Sequence, residues 1–101
     1  MNDYSSKKTE RTRRAEEVLR RVFPDTEAYE QNRVSIRIRV VDEKFRNQSR
    51  VEREKMVYPL IRTLPEDIQD DISILLLLTP DQKAGHLLNL EFEDPTQSAL
   101  L

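Results

Sequence analysis

The sequence predicts an α+β domain of order α-β-β-α-α-β-α, with a three-stranded mixed sheet that carries its helices on one face. Three observations predict it. Val34, Ile36, Ile38 and Val40 alternate with Ser35, Arg37 and Arg39, the period-two pattern of a strand with one buried face. Ser49-Arg50-Val51-Glu52 is a capping box, in which serine and glutamate side chains each satisfy the other's backbone amide at a helix start. Ile72–Leu78 is an apolar run closed by Asp71 and Pro80, too short for an independent helix and therefore a strand buried on much of both faces. Two helices intervene between these strands, so the strands should run parallel, joined by a right-handed crossover.

In chain order, residues 1–8 lack periodicity and are expected to be a disordered lead-in to a single domain over residues 9–94. Ala15, Val18, Leu19, Val22 and Phe23 recur at helical spacing, a stripe that Pro24 terminates by disfavouring helical geometry in the residue before it. Residues 25–31 form a short edge strand anchored by Tyr29, with Gln31-Asn32 turning the chain back. After the Val34 strand and Phe45, Arg46-Asn47-Gln48 makes a turn in which Asn47 tolerates a left-handed backbone. The helix from Ser49 presents Val57, Leu60, Ile61 and Leu64, with Pro59 removing a bond to the Lys55 carbonyl. Pro65 opens a short turn over residues 66–70 with Ile68 as its apolar contact. Thr79-Pro80-Asp81-Gln82 is a second capping box, starting a helix with a stripe of Ala84, Leu87 and Leu88 that Gly85 weakens by about 1 kcal/mol. Residues 95–101 are expected to be a flexible tail. In this arrangement Leu75 and Leu77 point to the face without helices, beside Arg37 and Arg39.

Composition excludes several classes of function. With 101 residues the chain has room for one core. No run of about 18 or more apolar residues is present, which leads to a cytoplasmic expectation, and the lack of cysteine removes disulfides, thiolate metal sites and cysteine nucleophiles. A single glycine, Gly85, excludes phosphate-cradling loops and the Gly-x-x-Gly clamp of nucleic-acid modules. Charge is polarised: residues 1–21 carry seven basic and four acidic side chains, residues 65–101 one and eight.

The stretch from Phe45 through Asn47, Ser49, Arg50 and Arg53 to Met56-Val57-Tyr58 resembles the signature of the BolA-like family, a phenylalanine, a turn, then an arginine-rich helix start followed by Met-Val/Ile-Tyr. The element order over residues 12–79 is similar to that family's, and to type II KH-like folds. The resemblance implies a non-enzymatic protein without its own catalytic chemistry, which partners monothiol glutaredoxins; a homodimer is the other pairing that the bare sheet face leads one to expect. The resemblance also implies a stress or iron–sulfur-regulation context, with a cluster shared through histidine, and in bacteria a DNA-binding regulator. This chain departs from the pattern with Asn47 for glycine in the turn, and with Glu54 and Ser73 where the family carries histidines. Neither an imidazole nor a thiolate stands at those positions, so cluster ligation does not carry over and no cofactor is expected.

His86, the only histidine, lacks convergent ligands in the nearby sequence, and Asp67, Asp70 and Asp71 read as helix-capping acids. Two functions from different classes remain. The first is an adaptor binding another protein through the bare sheet face and the start of the second helix, with Arg37, Arg39, Leu75, Leu77, Glu54 and Ser73 as partner-binding residues. The second is a DNA-binding regulator using Arg46, Arg50, Arg53 and Lys55 at a positive helix end, interleaved with Glu52 and Glu54.

Overall fold

A computed structural model describes residues 7–94. Helix α1 (Glu10–Arg20) leads to strands β1 (Thr26–Gln31) and β2 (Ser35–Val41), then to helices α2 (Arg50–Ile61) and α3 (Glu66–Asp71). Strand β3 (Ile72–Leu78) and helices α4 (Pro80–Gly85) and α5 (Leu87–Glu93) complete the order. The sheet order is β1-β2-β3, with β1 antiparallel and β3 parallel to β2. The α+β class, the mixed sheet and the parallel crossover are therefore as the sequence predicts. Residues 1–6 and 95–101, most of the expected lead-in and all of the expected tail, lie outside the described residues. Lys7 and Lys8, placed in the expected lead-in, are tied to the domain, for Lys7 donates to Gln31 Oε1 and Lys8 to the carboxylates of Glu16 and Glu27.

The local signals explain most boundaries. Thr9 and Thr12 form a reciprocal cap at the start of α1, and Ser49 and Glu52 do the same for α2. Asn32 (φ 59°) and Arg33 (φ 67°) take the left-handed conformation at the hairpin, and Asn47 (φ 63°) takes it before α2. Val34 falls in that hairpin turn and is 67% exposed, so β2 starts at Ser35. Val22 lies past the end of α1 and is also exposed, while Ala15, Leu19 and Phe23 are buried as expected. Pro59 sits inside α2, and Leu64 is buried in the turn beyond it.

The pairing of β3 corrects one expectation. Ile36 pairs with Ile72, but Arg37 pairs with Ile74, so Ser73 is an extra residue in the ladder. Side chains alternate with period two, and one inserted residue therefore moves every later side chain to the opposite face. Leu75 and Leu77 consequently pack with Ile36, Ile38, Val40, Leu19 and Val57 under the helices. Ile74, Leu76 and Leu78 take the other face with Tyr29.

A second correction follows. The expected last helix divides at His86, whose extended backbone (ψ 127°) separates α4 from α5. Leu87 and Leu88, expected inside, are 80% and 51% exposed, and Asn89 and Phe92 are buried instead. Phe92 meets Tyr29 edge-on with ring centroids 4.9 Å apart and joins Leu76 and Leu78. The α5 helix thus covers part of the face expected to be bare, and helices pack on both sides of the sheet. These facings make a direct stability test: Leu77→Ala should cost about 2–5 kcal/mol and Leu88→Ala less than about 0.5 kcal/mol in urea unfolding.

Candidate functional site

Beneath α5 the polar groups of the sheet are used internally. Arg39, 3% exposed, donates to Asn89 Oδ1 and Glu93 Oε2, both at 2.7 Å, with its guanidinium 4.9 Å from the Phe92 ring centroid. Arg37 donates to Glu91 Oε2 at 3.2 Å, and the Tyr29 hydroxyl donates to the Phe92 carbonyl at 2.6 Å. Arg37, Arg39 and Leu77, named from the sequence as partner-facing, therefore belong to the interior or its margin. Glu54, Leu75 and Ser73 are brought together elsewhere.

They meet at the outer edge of β3. Two open grooves of about 300 and 420 Å³ share Arg50, Glu54 and Leu75 and make one trough between α2 and this edge. One end runs past Arg53 to His86 and Leu88; the other runs past Tyr58 and Arg62 to Ser73. Ser73, at the bulge, shares a hydrogen bond with the Ser35 hydroxyl. Glu54 accepts from Arg50 Nε at 3.3 Å, and Arg50 is otherwise free in solvent, its side chain 89% exposed.

The two sheet edges are finished differently. On β1, Arg20 Nε donates to the Thr26 carbonyl (2.9 Å), the Ala28 amide donates to Glu16 Oε2 (2.8 Å), and Lys8 Nζ donates to the Ala28 carbonyl (3.0 Å). Burial alone lowers the affinity of Lys8 for its proton, but Glu16 and Glu27 outweigh it and hold the ammonium above its ordinary range. On β3, Arg53 Nη1 donates to the Leu77 carbonyl at 2.9 Å and its Nε to the Gln48 carbonyl at 3.0 Å. The Leu78 carbonyl turns the other way, accepting from the Asp42 amide, so by alternation the Leu75 peptide group faces the free edge as that of Leu77 does. Among the described residues no side chain reaches it.

The basic residues of the second reading are divided by the same geometry. Arg46 lies between Glu43, at 2.7 and 2.8 Å, and Asp81 at 2.7 Å, tying the turn before α2 to the start of α4. Arg46, though exposed, is thus held by carboxylates and Arg53 is committed to carbonyls, which leaves Lys55 and Arg50, the latter bonded to Glu54, as the exposed members of the four outside those ties. Sequence reading missed Tyr58 and Arg62 as lining residues. Their signal is the spacing of Arg50, Glu54, Tyr58 and Ile61, one face of α2 at i, i+4, i+8 and i+11 with Arg62 just beyond it. It also missed Arg53 as an edge cap and His86 as part of the trough, which only the tertiary arrangement reveals.

The residues of the trough do not fit the iron–sulfur cluster that the resemblance implies. Glu54 and Ser73 offer hard oxygen donors where soft iron centres take sulfur or imidazole. His86 uses Nδ1 to accept the Leu88 amide at 3.1 Å, capping α5. Among the described residues no group of three or more His, Cys, Asp or Glu side chains is placed to hold a metal ion. No helix among them is long and apolar enough to cross a membrane.

No family model matches the sequence, and no curated protein matches it. Among solved structures the chain is similar to BolA1 from Arabidopsis thaliana, with a TM-score of 0.53 and 19% identity, over 74% of this chain and 98% of that one. The fold is BolA-like.

The ion pairs around the trough carry a pH test. The Arg46 guanidinium holds the carboxyls of Glu43 and Asp81 below their ordinary range, and the Ser49 amide does so for Glu52. A carboxylate with a depressed folded-state pKa stabilises above its unfolded value, and that contribution disappears as pH falls through the folded value. Asp81→Asn should therefore flatten the acid limb of the stability profile below about pH 4 while leaving its slope near neutrality unchanged, as read by urea midpoints across pH.

Proposed function

We propose that this chain is a small non-enzymatic adaptor that binds another protein through the trough along the free edge of β3. The observation that carries the reading is the gathering of Glu54, Leu75 and Ser73 at the β3 edge, where no side chain among the described residues reaches the outward Leu75 peptide group. A sheet edge with exposed peptide groups and a flanking helix is a recurrent way of holding a second chain. By resemblance, a monothiol glutaredoxin is the first partner to try and a stress or iron–sulfur-regulation context the first to examine, with recognition through shape and charge rather than histidine ligation. The placement moves the adaptor surface away from Arg37 and Arg39, which α5 occupies.

DNA binding through Arg46, Arg50, Arg53 and Lys55 has less support, since Arg46 and Arg53 would have to leave intramolecular partners to reach phosphates. Affinity capture from cell extract tests the first reading. Wild type and Val34→Asp, a change at the exposed hairpin tip away from the trough, should recover the same proteins, and Arg50→Glu should lose them. Identical recovery by all three would remove the trough from consideration. On duplex DNA at low salt no binding is expected; an affinity that falls steeply between about 50 and 200 mM salt would replace this reading with the regulator.

A further inference from the structure

Resting on the adaptor reading, we infer that the trough takes an extended acidic segment of the partner, added to the sheet as a short strand beside β3. Two independent observations carry it. The first is the contrast between the edges. On β1 the outward groups of Thr26 and Ala28 are held by Arg20, Glu16 and Lys8, which blocks strand addition there. On β3, among the described residues, side chains hold Leu77 alone, through Arg53, and the Leu75 peptide group faces the trough. An added strand would pair with Leu75 and stop where Arg53 occupies the Leu77 carbonyl, so the ladder is short and its position is fixed.

The second observation is charge. Arg50 and Arg62 are exposed on the α2 rim, and the single carboxylate between them, Glu54, is already bonded to Arg50. Along an extended peptide alternate side chains point to opposite sides. One set would meet these guanidinium groups, which bind carboxylates through directed N–H donors, and the other would meet Leu88, 51% exposed at the far end. A second copy of this chain fits less well, since it would bring the same cationic rim against this one.

The test uses isotopically labelled protein and two short, end-blocked peptides, one alternating valine with glutamate and the other valine with lysine. The glutamate peptide should shift the amide resonances of Ser73, Ile74, Leu75 and Leu76 saturably and slow hydrogen exchange at the Leu75 amide, and Arg50→Glu should weaken it roughly tenfold, the worth of one charge-assisted hydrogen bond. The lysine peptide should do neither. Equal binding of both peptides would overturn the proposal, and so would an absence of shifts at those four amides with millimolar peptide. Shifts confined to Arg50, Tyr58 and Arg62 would overturn strand addition while leaving the adaptor reading standing. Concentration-dependent shifts of the same amides without peptide would assign the trough to a second copy, and displacement of the peptide by single-stranded DNA would assign it to nucleic acid; either result contradicts the proposal.

Discussion

One inserted residue, Ser73, in the parallel ladder between β2 and β3 governs how the rest of the chain is arranged. Without it Ile72, Ile74, Leu76 and Leu78 would share a face, and Leu75 and Leu77 would lie against Arg37 and Arg39. With it, Leu75 and Leu77 complete the core below α1 and α2, while Ile74, Leu76 and Leu78 build a second apolar cluster around Tyr29. A face carrying three aliphatic residues and a tyrosine needs cover, and α5 supplies it through Phe92. The break at His86 and the position of α5 are thus downstream of a register choice made in the strand before them.

The composition of α5 fits the surface it covers rather than an ordinary apolar core. Its inward groups are Phe92, Asn89 and the carboxylates of Glu91 and Glu93, and its outward groups include Leu87, Leu88 and Leu90. A guanidinium as buried as that of Arg39 is costly unless its donors are met, and the helix meets them with an amide oxygen, a carboxylate and an aromatic face. The match is incomplete, for the Nε atoms of Arg37 and Arg39 have no hydrogen-bond partner among the described residues. The polar partners of Arg37 and Arg39 therefore act with Phe92 in placing α5, and a stripe of leucines does not. This is why the leucines of the last helix misdirect a reading based on periodicity.

Much of the scaffold is legible in the chain. The capping box at Ser49, the left-handed Asn47, the alternation around Ile36 and Ile38, and the bounds of β3 are local properties, written in neighbouring residues. The facing of β3 is not local: Ser73 is the one polar residue of the strand, but the isoleucine and leucines after it make both faces apolar, so a shift by one residue preserves the pattern. The division of the last helix has a local hint in Gly85, but its direction depends on the arginines of β2. The candidate site was legible to the same extent. Glu54 and Ser73 stand out against the BolA-like signature, whereas the trough that joins them to Tyr58, Arg62 and His86 exists only once β3 lies beside α2.

The bare stretch of edge at Leu75 and the cover over Leu76 are consequences of the same register, so a measurement of facing tests both. Side-chain NOEs decide it most directly. The account requires cross-peaks from the Leu76 methyl groups to the rings of Tyr29 and Phe92, and from the Leu77 methyl groups to Ile38 and Val57. Cross-peaks from Leu75 or Leu77 to Phe92, with Leu76 turned toward Val57, would mean that Ser73 is not the inserted residue and would contradict the arrangement from β3 onward.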